Sequence, residues 1–184
     1  MRTIKFLLLS IFLLFCLTIA ATPASAASRK EMIHEAAKAL DDLYRTTPGA
    51  KALGDSAKGI LVFPGITKGG FIVGGQYGEG VLFKNGKAVG FYNTASASFG
   101  MQAGLQNFGY ALFFMTDSDL KYLDKSEGWQ LGVGTSITIV DAGFAKSLST
   151  TTGREGVYAF FFDQKGLMAG LGIQGSKITK ITPK

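Results

Sequence analysis

From Gly59 onward apolar and polar residues alternate with period two, the spacing of strands that keep one face covered. Ile60–Phe63 is a short apolar strand ended by Pro64-Gly65, and Phe71–Tyr77 follows Lys68-Gly69-Gly70. Val81–Phe83 and Ala88–Tyr92 flank Lys84-Asn85-Gly86-Lys87, where Asn-Gly supplies the positive φ angles of a tight hairpin turn. Three later runs share one design. Ala97, Phe99, Met101, Ala103 and Leu105 alternate with Ser98, Gly100, Gln102 and Gly104. Trp129–Val140 and Leu167–Ile173 repeat the scheme, apolar on one face, glycine and small polar groups on the other. Glycine weakens a strand, so its repetition on one face predicts tight bends, close backbone approach, or grooves for rings from neighbouring strands. Phe108, Phe113, Phe114, Phe160, Phe161 and Phe162 are the rings available to fill them.

Ahead of the strands the period changes to that of a helix. Over Ser28–Tyr44, Ile33, Ala36, Leu40 and Leu43 recur at helical spacing, Ser28 with Glu31 forms a capping-box pattern, and Pro48-Gly49 is the stop. Its polar face mixes Arg29, Lys30 and Lys38 with Glu31, Glu35, Asp41 and Asp42, as on a solvated helix packed on a domain; a membrane-surface helix is richer in Lys and Arg. The single histidine, His34, lies on that polar face. A second short helix is expected over Ala50–Ala57, and a third over Asp117–Lys125, capped by Asp117 with Leu120 and Leu123 facing inward. Ala145–Glu155 is polar and turn-rich and reads as a loop. The fold class expected is α+β: an antiparallel β-sandwich or barrel-like sheet rich in glycine, with N-terminal helices.

The first residues change the picture of where the chain works. Arg2 and Lys5 precede the apolar run Phe6–Ala21, and Ala24-Ser25-Ala26 supplies the small residues a leader peptidase reads, so residues 1–26 are expected to be a cleaved signal peptide. The run is shorter than the roughly 20 residues of a spanning helix. Cys16 follows the bulky Phe15, which does not suit a lipidation signal, and leaves with the leader. Residues 27–184 then form a single domain, periplasmic or secreted and without cysteine, so its stability rests on core packing and not on disulfides.

The whole chain carries a net charge of +6, which falls by the two charges of Arg2 and Lys5 on cleavage. Its distribution matters more. Residues 56–116 carry Lys58, Lys68, Lys84 and Lys87 against Glu79, and residues 164–184 carry Lys165, Lys177, Lys180 and Lys184 with no acid. Such stretches attract anionic surfaces through a screened, weakly specific interaction, or serve to keep an apolar protein soluble.

No catalytic constellation assembles. Gly170, Gly172 and Gly175 have dinucleotide-binding spacing, but only nine residues follow, too few for the helix whose N-terminus would hold the pyrophosphate. No G-x-S-x-G elbow occurs, and the Ser-Lys neighbours Lys146-Ser147 and Ser176-Lys177 point to opposite faces in a strand. Asp41-Asp42 lies on a helix surface and Asp117 with Asp119 at a helix start, so both acidic pairs have structural roles. One histidine and two carboxylate pairs are too few ligands for a metal site. The aromatics sit in apolar runs such as Tyr158–Phe162 and not among exposed bases-stacking positions, which argues against nucleic acid. No cofactor is expected, and the chain does not read as an enzyme.

The AKGILVFP run at residues 57–64 and KGLMAGLGIQGS at 165–176 resemble the SYLF domain family, a likeness that extends over Ala36–Ile178. The resemblance implies a lipid-binding or actin-regulating module, with lipid binding associated with the N-terminal helical region and a basic surface but with no fixed motif. Only Lys165 carries over, as a position. The chain departs from that pattern in having a leader, no SH3 domain and a charge-balanced first helix, so actin bundling and phosphoinositide specificity do not transfer. The expected function is an exported, non-enzymatic module that binds anionic phospholipid head groups or membrane surfaces, with Lys146, Arg154 and Lys165 as lipid-binding candidates. The alternative is a structural or protein-interaction module whose glycine-rich edges pair with an envelope protein.

Overall fold

Ser28 has an extended backbone, and its hydroxyl accepts the Glu31 backbone N–H at 3.3 Å. In the computed structural model, which describes residues 28–125, 127–140, 156–165, 173 and 175–184 (side chains at 71–73, 98–104, 164 and 165 excepted), helix α1 spans Arg29–Thr46. Its buried stripe is Met32, Ala36 and Leu43, with Ile33 and Leu40 half-buried. Pro48 opens helix α2, Pro48–Ser56, where the missing N–H costs nothing because the first turn has no acceptor for it. The stop signal of one helix is thus the start signal of the next.

Two long antiparallel strands dominate the rest, β1 over Gly59–Lys84 and β2 over Lys87–Phe114. Asn85 (φ 50°) and Gly86 (φ 73°) make the turn that the Asn-Gly pair predicts, with Lys84 opposite Lys87. The expected breaks inside β1 do not occur. Pro64-Gly65 sits in a bulge between the pairs Phe63–Tyr110 and Ile66–Phe108, and a second register shift follows Gly70. A bulge tolerates proline because it needs no ladder N–H there, so the strand bends and continues. The extra residue also switches the inward phase of β1, from Leu61 and Phe63 before the bulge to Ile66, Gln76 and Leu82 after it.

The bent hairpin curls until β1 meets itself. A β-carbon on Gly80 would stand 2.6 Å from both the Val62 carbonyl oxygen and the Phe63 ring, and one on Gly78 would stand 2.7 Å from the Gly65 carbonyl oxygen. Glycine is used here for close backbone approach, as its placement predicts. The concave side holds one core, with Leu61, Phe63, Ile66, Tyr110, Phe114 and Trp129 at its centre; the convex side holds a second, where Val62, Val81, Phe113 and Phe160 meet Ala36, Leu43 and Leu53 of the helices. The architecture is α+β and barrel-like, with its helices at the N-terminal end.

Beyond β2, Thr116 and not Asp117 caps the short helix α3, Asp117–Leu120: its hydroxyl accepts the Asp119 N–H at 3.2 Å. A 3₁₀ turn over Lys121–Asp124 completes the element, and Leu120 and Leu123 are buried as expected. The run Trp129–Val140 is two strands and not one. Strand β3, Trp129–Gln130, ends in a turn because Gly132 and Gly134 take φ near +90°, and β4 resumes at Ile137–Val140. The Trp129 indole N–H donates to the Val133 carbonyl at 3.0 Å across that turn. Strands β5, Val157–Lys165, and β6, Lys177–Ile181, flank β2 in the order β3-β6-β2-β5-β4. The pairing β4–β5 is parallel, the one departure from the expected antiparallel sheet among the described strands. Phe162 lies over Gly109, its cross-strand partner, with a ring carbon 2.7 Å from where a β-carbon would stand. That is a ring in a glycine groove. The expected strand Leu167–Ile173 lies outside the described residues except for Ile173, which is buried.

Candidate functional site

Along the part of the hairpin that the helices leave bare, the usual polarity of a strand reverses. On β1, Gln76 is buried while its neighbour Tyr77 is 49% exposed; on β2, Gln106 is buried while Leu105 is 71% exposed. Thr94 is fully buried and Ala95 and Ala97 are exposed. The concave interior is therefore polar here. Gln76 donates its amide N–H to the Ser176 hydroxyl at 2.7 Å, and Tyr110 donates its hydroxyl to Thr94 at 3.0 Å. Burial pushes the Tyr110 phenol well above its ordinary pKa, offset in part by the Thr94 bond. The side-chain carbonyls of Gln76 and Gln106 have no partner among the described residues.

The convex surface opposite exposes Tyr77, Ala95, Ala97 and Leu105 beside the polar Thr67 and Asn107, and carries a cation. Tyr77 pairs with Ala95, Ala95 with Lys177, and Lys177 with Gln130, so one row crosses four strands. Tyr77 donates its hydroxyl to Glu79 at 2.8 Å, and its phenol is shifted upward by partial burial and then by Glu79. Lys165, the last residue of β5, takes Asn107 as its cross-strand partner, two positions from Leu105. Lys146 and Arg154 lie outside the described residues, so of the three candidate residues only the backbone of Lys165 is placed beside this surface.

Ion pairs among the described residues are confined to the helices. Lys38 and Arg45 bind Asp42, Arg45 approaches Asp41, and Lys51 binds Asp55. The Lys38 bond holds the Asp42 carboxyl below its ordinary pKa. The sheet lysines Lys84, Lys87, Lys177 and Lys180 are exposed with no carboxylate partner among the described residues. The acidic pair Asp117 and Asp119 is structural: buried Asp119 accepts hydroxyls from Thr116 at 2.5 Å and Thr135 at 2.8 Å. No group of metal-ligating side chains occurs among the described residues.

A groove of about 430 Å³ lies between α1, α2 and the hairpin turn. Leu40, Tyr44, Ile60 and Phe83 line it, with Asp41 and Asp55 also on its wall. Burial and then Asp55 push the Tyr44 phenol up to about 12. Two carboxylates make it unsuitable for an anionic head group.

A family model described as Ysc84, Las17-binding protein actin regulator, matches residues 95–182. Residues 95–182 are thus similar to the Ysc84 (SYLF) domain family. The match begins in β2 at Ala95 and runs past β6 to Thr182, so the Ysc84 stretch includes Leu105, Lys165 and Lys177 and follows α1, α2 and β1. Ysc84 domains are binding modules of the lipid-binding, actin-regulator type. No curated protein sequence matches the chain.

The reversal at Gln76–Tyr77 and Leu105–Gln106 is what sequence reasoning missed. The alternation of Ala97–Leu105 was visible, but period two does not say which face turns inward.

Proposed function

We propose that this chain is an exported, non-enzymatic module that associates with anionic lipid or membrane surfaces. The observation that carries the reading is the separation of charges: Lys38, Arg45 and Lys51 of the helices are matched by helix carboxylates, though Arg29 and Lys30 are not, whereas the exposed lysines of the sheet, Lys84, Lys87, Lys177 and Lys180, all lack such partners among the described residues. Unmatched lysines beside an apolar strand surface are the combination a negatively charged interface attracts. The Ysc84 match supports a binding role. Lys146, Arg154 and Lys165 add three cations to the same account, drawn from the C-terminal half of the sequence.

The leader-like residues 1–26 support a periplasmic or secreted location, where generic anionic phospholipid is a more suitable ligand than an actin-system protein. No helix among the described residues is long and apolar enough to cross a membrane. A second reading, a module that pairs edge to edge with an envelope protein, is favoured by β1, which pairs with β2 alone among the described strands.

Co-sedimentation of the mature chain with vesicles of anionic and of zwitterionic phospholipid separates the two. Pelleting with anionic vesicles alone supports the lipid reading. Equal absence from both pellets contradicts it and leaves the edge-pairing reading.

A further inference from the structure

We propose that the convex face of the hairpin marked by Tyr77, Ala95, Ala97 and Leu105 is the surface the protein lays into the head-group boundary of an anionic bilayer. The inference rests on the lipid reading above and adds which side of the molecule enters the lipid.

In water this stretch is built the wrong way round. Two glutamine amides and Thr94 are buried while a leucine and a tyrosine face outward. Moving β1 by one residue would turn Tyr77 inward and Gln76 outward. Three features hold it in the observed phase: the Asn85-Gly86 turn, the Pro64-Gly65 bulge that switches the inward positions, and the glycines where β1 crosses itself. Apolar outside with polar inside is the arrangement of strands whose outer face meets lipid.

The geometry favours a broad interface over a small ligand. Leu105 pairs with Gly69, and from Gly69 to Tyr77 the strand spans at most about 26 Å at strand rise. Charge selects a bilayer among broad interfaces. Lys177 stands in the same cross-strand row as Tyr77 and Ala95, where an anionic head group would lie, the backbone of Lys165 is two positions along from Leu105 across the β2–β5 ladder, and the one carboxylate beside Tyr77, Glu79, accepts the Tyr77 hydroxyl.

The only cysteine of the chain is Cys16, in the leader, so a probe is easily placed. Leu105→Cys in the mature chain, labelled with an environment-sensitive fluorophore, should brighten and shift to the blue on anionic vesicles and be quenched by lipid-borne nitroxide. The same label at Val89→Cys, exposed near the hairpin turn, should change little. An unlabelled Tyr77→Ser, Leu105→Ser variant should bind about tenfold more weakly with its melting temperature retained. Vesicle binding with an unchanged label at Leu105→Cys overturns the proposal and leaves the lipid reading standing. Failure of the parent to bind any vesicle removes both. A label already blue-shifted without lipid, in a protein that elutes as a dimer, makes the face a contact between two copies and overturns the proposal.

Discussion

Gly80 lies against Val62 of the same strand, closely enough that a β-carbon at Gly80 would come within 2.6 Å of the Val62 carbonyl oxygen. The second half of β1 thus crosses its first half at a point with no room for a side chain, and this crossing is what curls a flat hairpin into a barrel-like wall around Phe63 and Tyr110. Backbone cannot step aside as a flexible side chain can. Gly80→Ala should therefore destabilise the fold by about 1–3 kcal/mol, read as a shift of the denaturation midpoint with unchanged slope. An unaltered midpoint would show that the strand does not close on itself here.

Thr116 has two tasks at the start of α3, capping the Asp119 N–H and donating to the Asp119 carboxylate. Thr116→Ala should cost about 1–3 kcal/mol, because it removes a cap and strips one donor from a buried acid. Thr116→Ser keeps both bonds and should recover most of the loss, measured by chemical denaturation of the three proteins side by side.

Four of the six tyrosines, Tyr44, Tyr77, Tyr92 and Tyr110, have phenols shifted upward, with burial the leading cause in each. A phenol that keeps its proton in the folded state but loses it at the ordinary value of 10 when unfolded favours unfolding in alkali. The phenols' contribution to stability should be flat below pH 10 and fall as pH rises from 10 toward about 12, the value for Tyr44. Ultraviolet titration of the phenolates with parallel denaturation checks the sign; six phenols ionising together near pH 10 would contradict it.

Charge reversal tests the candidate cations apart from the apolar face. Replacing Lys146, Arg154 and Lys165 together by Glu should weaken sedimentation with anionic vesicles at low salt and leave the melting curve near that of the parent, since surface charges contribute little to stability. Binding equal to the parent's would reduce these three to a solubilising surface.

Much of the scaffold was legible in the residues. Ser28, the apolar stripe of α1 and Asn85-Gly86 each act locally, through a hydrogen bond, a period or a backbone angle that a short sequence determines. Glycine as a device of close approach was legible as well, and Gly80 and Gly109 show it against Val62 and Phe162. Pro64-Gly65 was not, because the same dipeptide can end a strand or bulge it, and only the partner strand decides. Gly132 and Gly134 fit an alternating strand on paper but take positive φ, which the pattern of apolar residues does not record. The parallel pairing of β4 with β5 joins residues distant in sequence and leaves no local trace. Of the candidate residues named from the sequence, Lys165 has its backbone paired with Asn107, while the outward Tyr77 and Leu105 depend on a phase set by a bulge more than ten residues before Tyr77.

The most direct test of the central claim is the affinity of the mature chain for anionic vesicles as ionic strength is raised. Unmatched sheet lysines predict that binding weakens steeply as the screening length shrinks from about 30 Å at low salt to about 8 Å at physiological salt. Affinity for anionic vesicles that stays constant across that range, or equals the affinity for zwitterionic ones, would contradict the account.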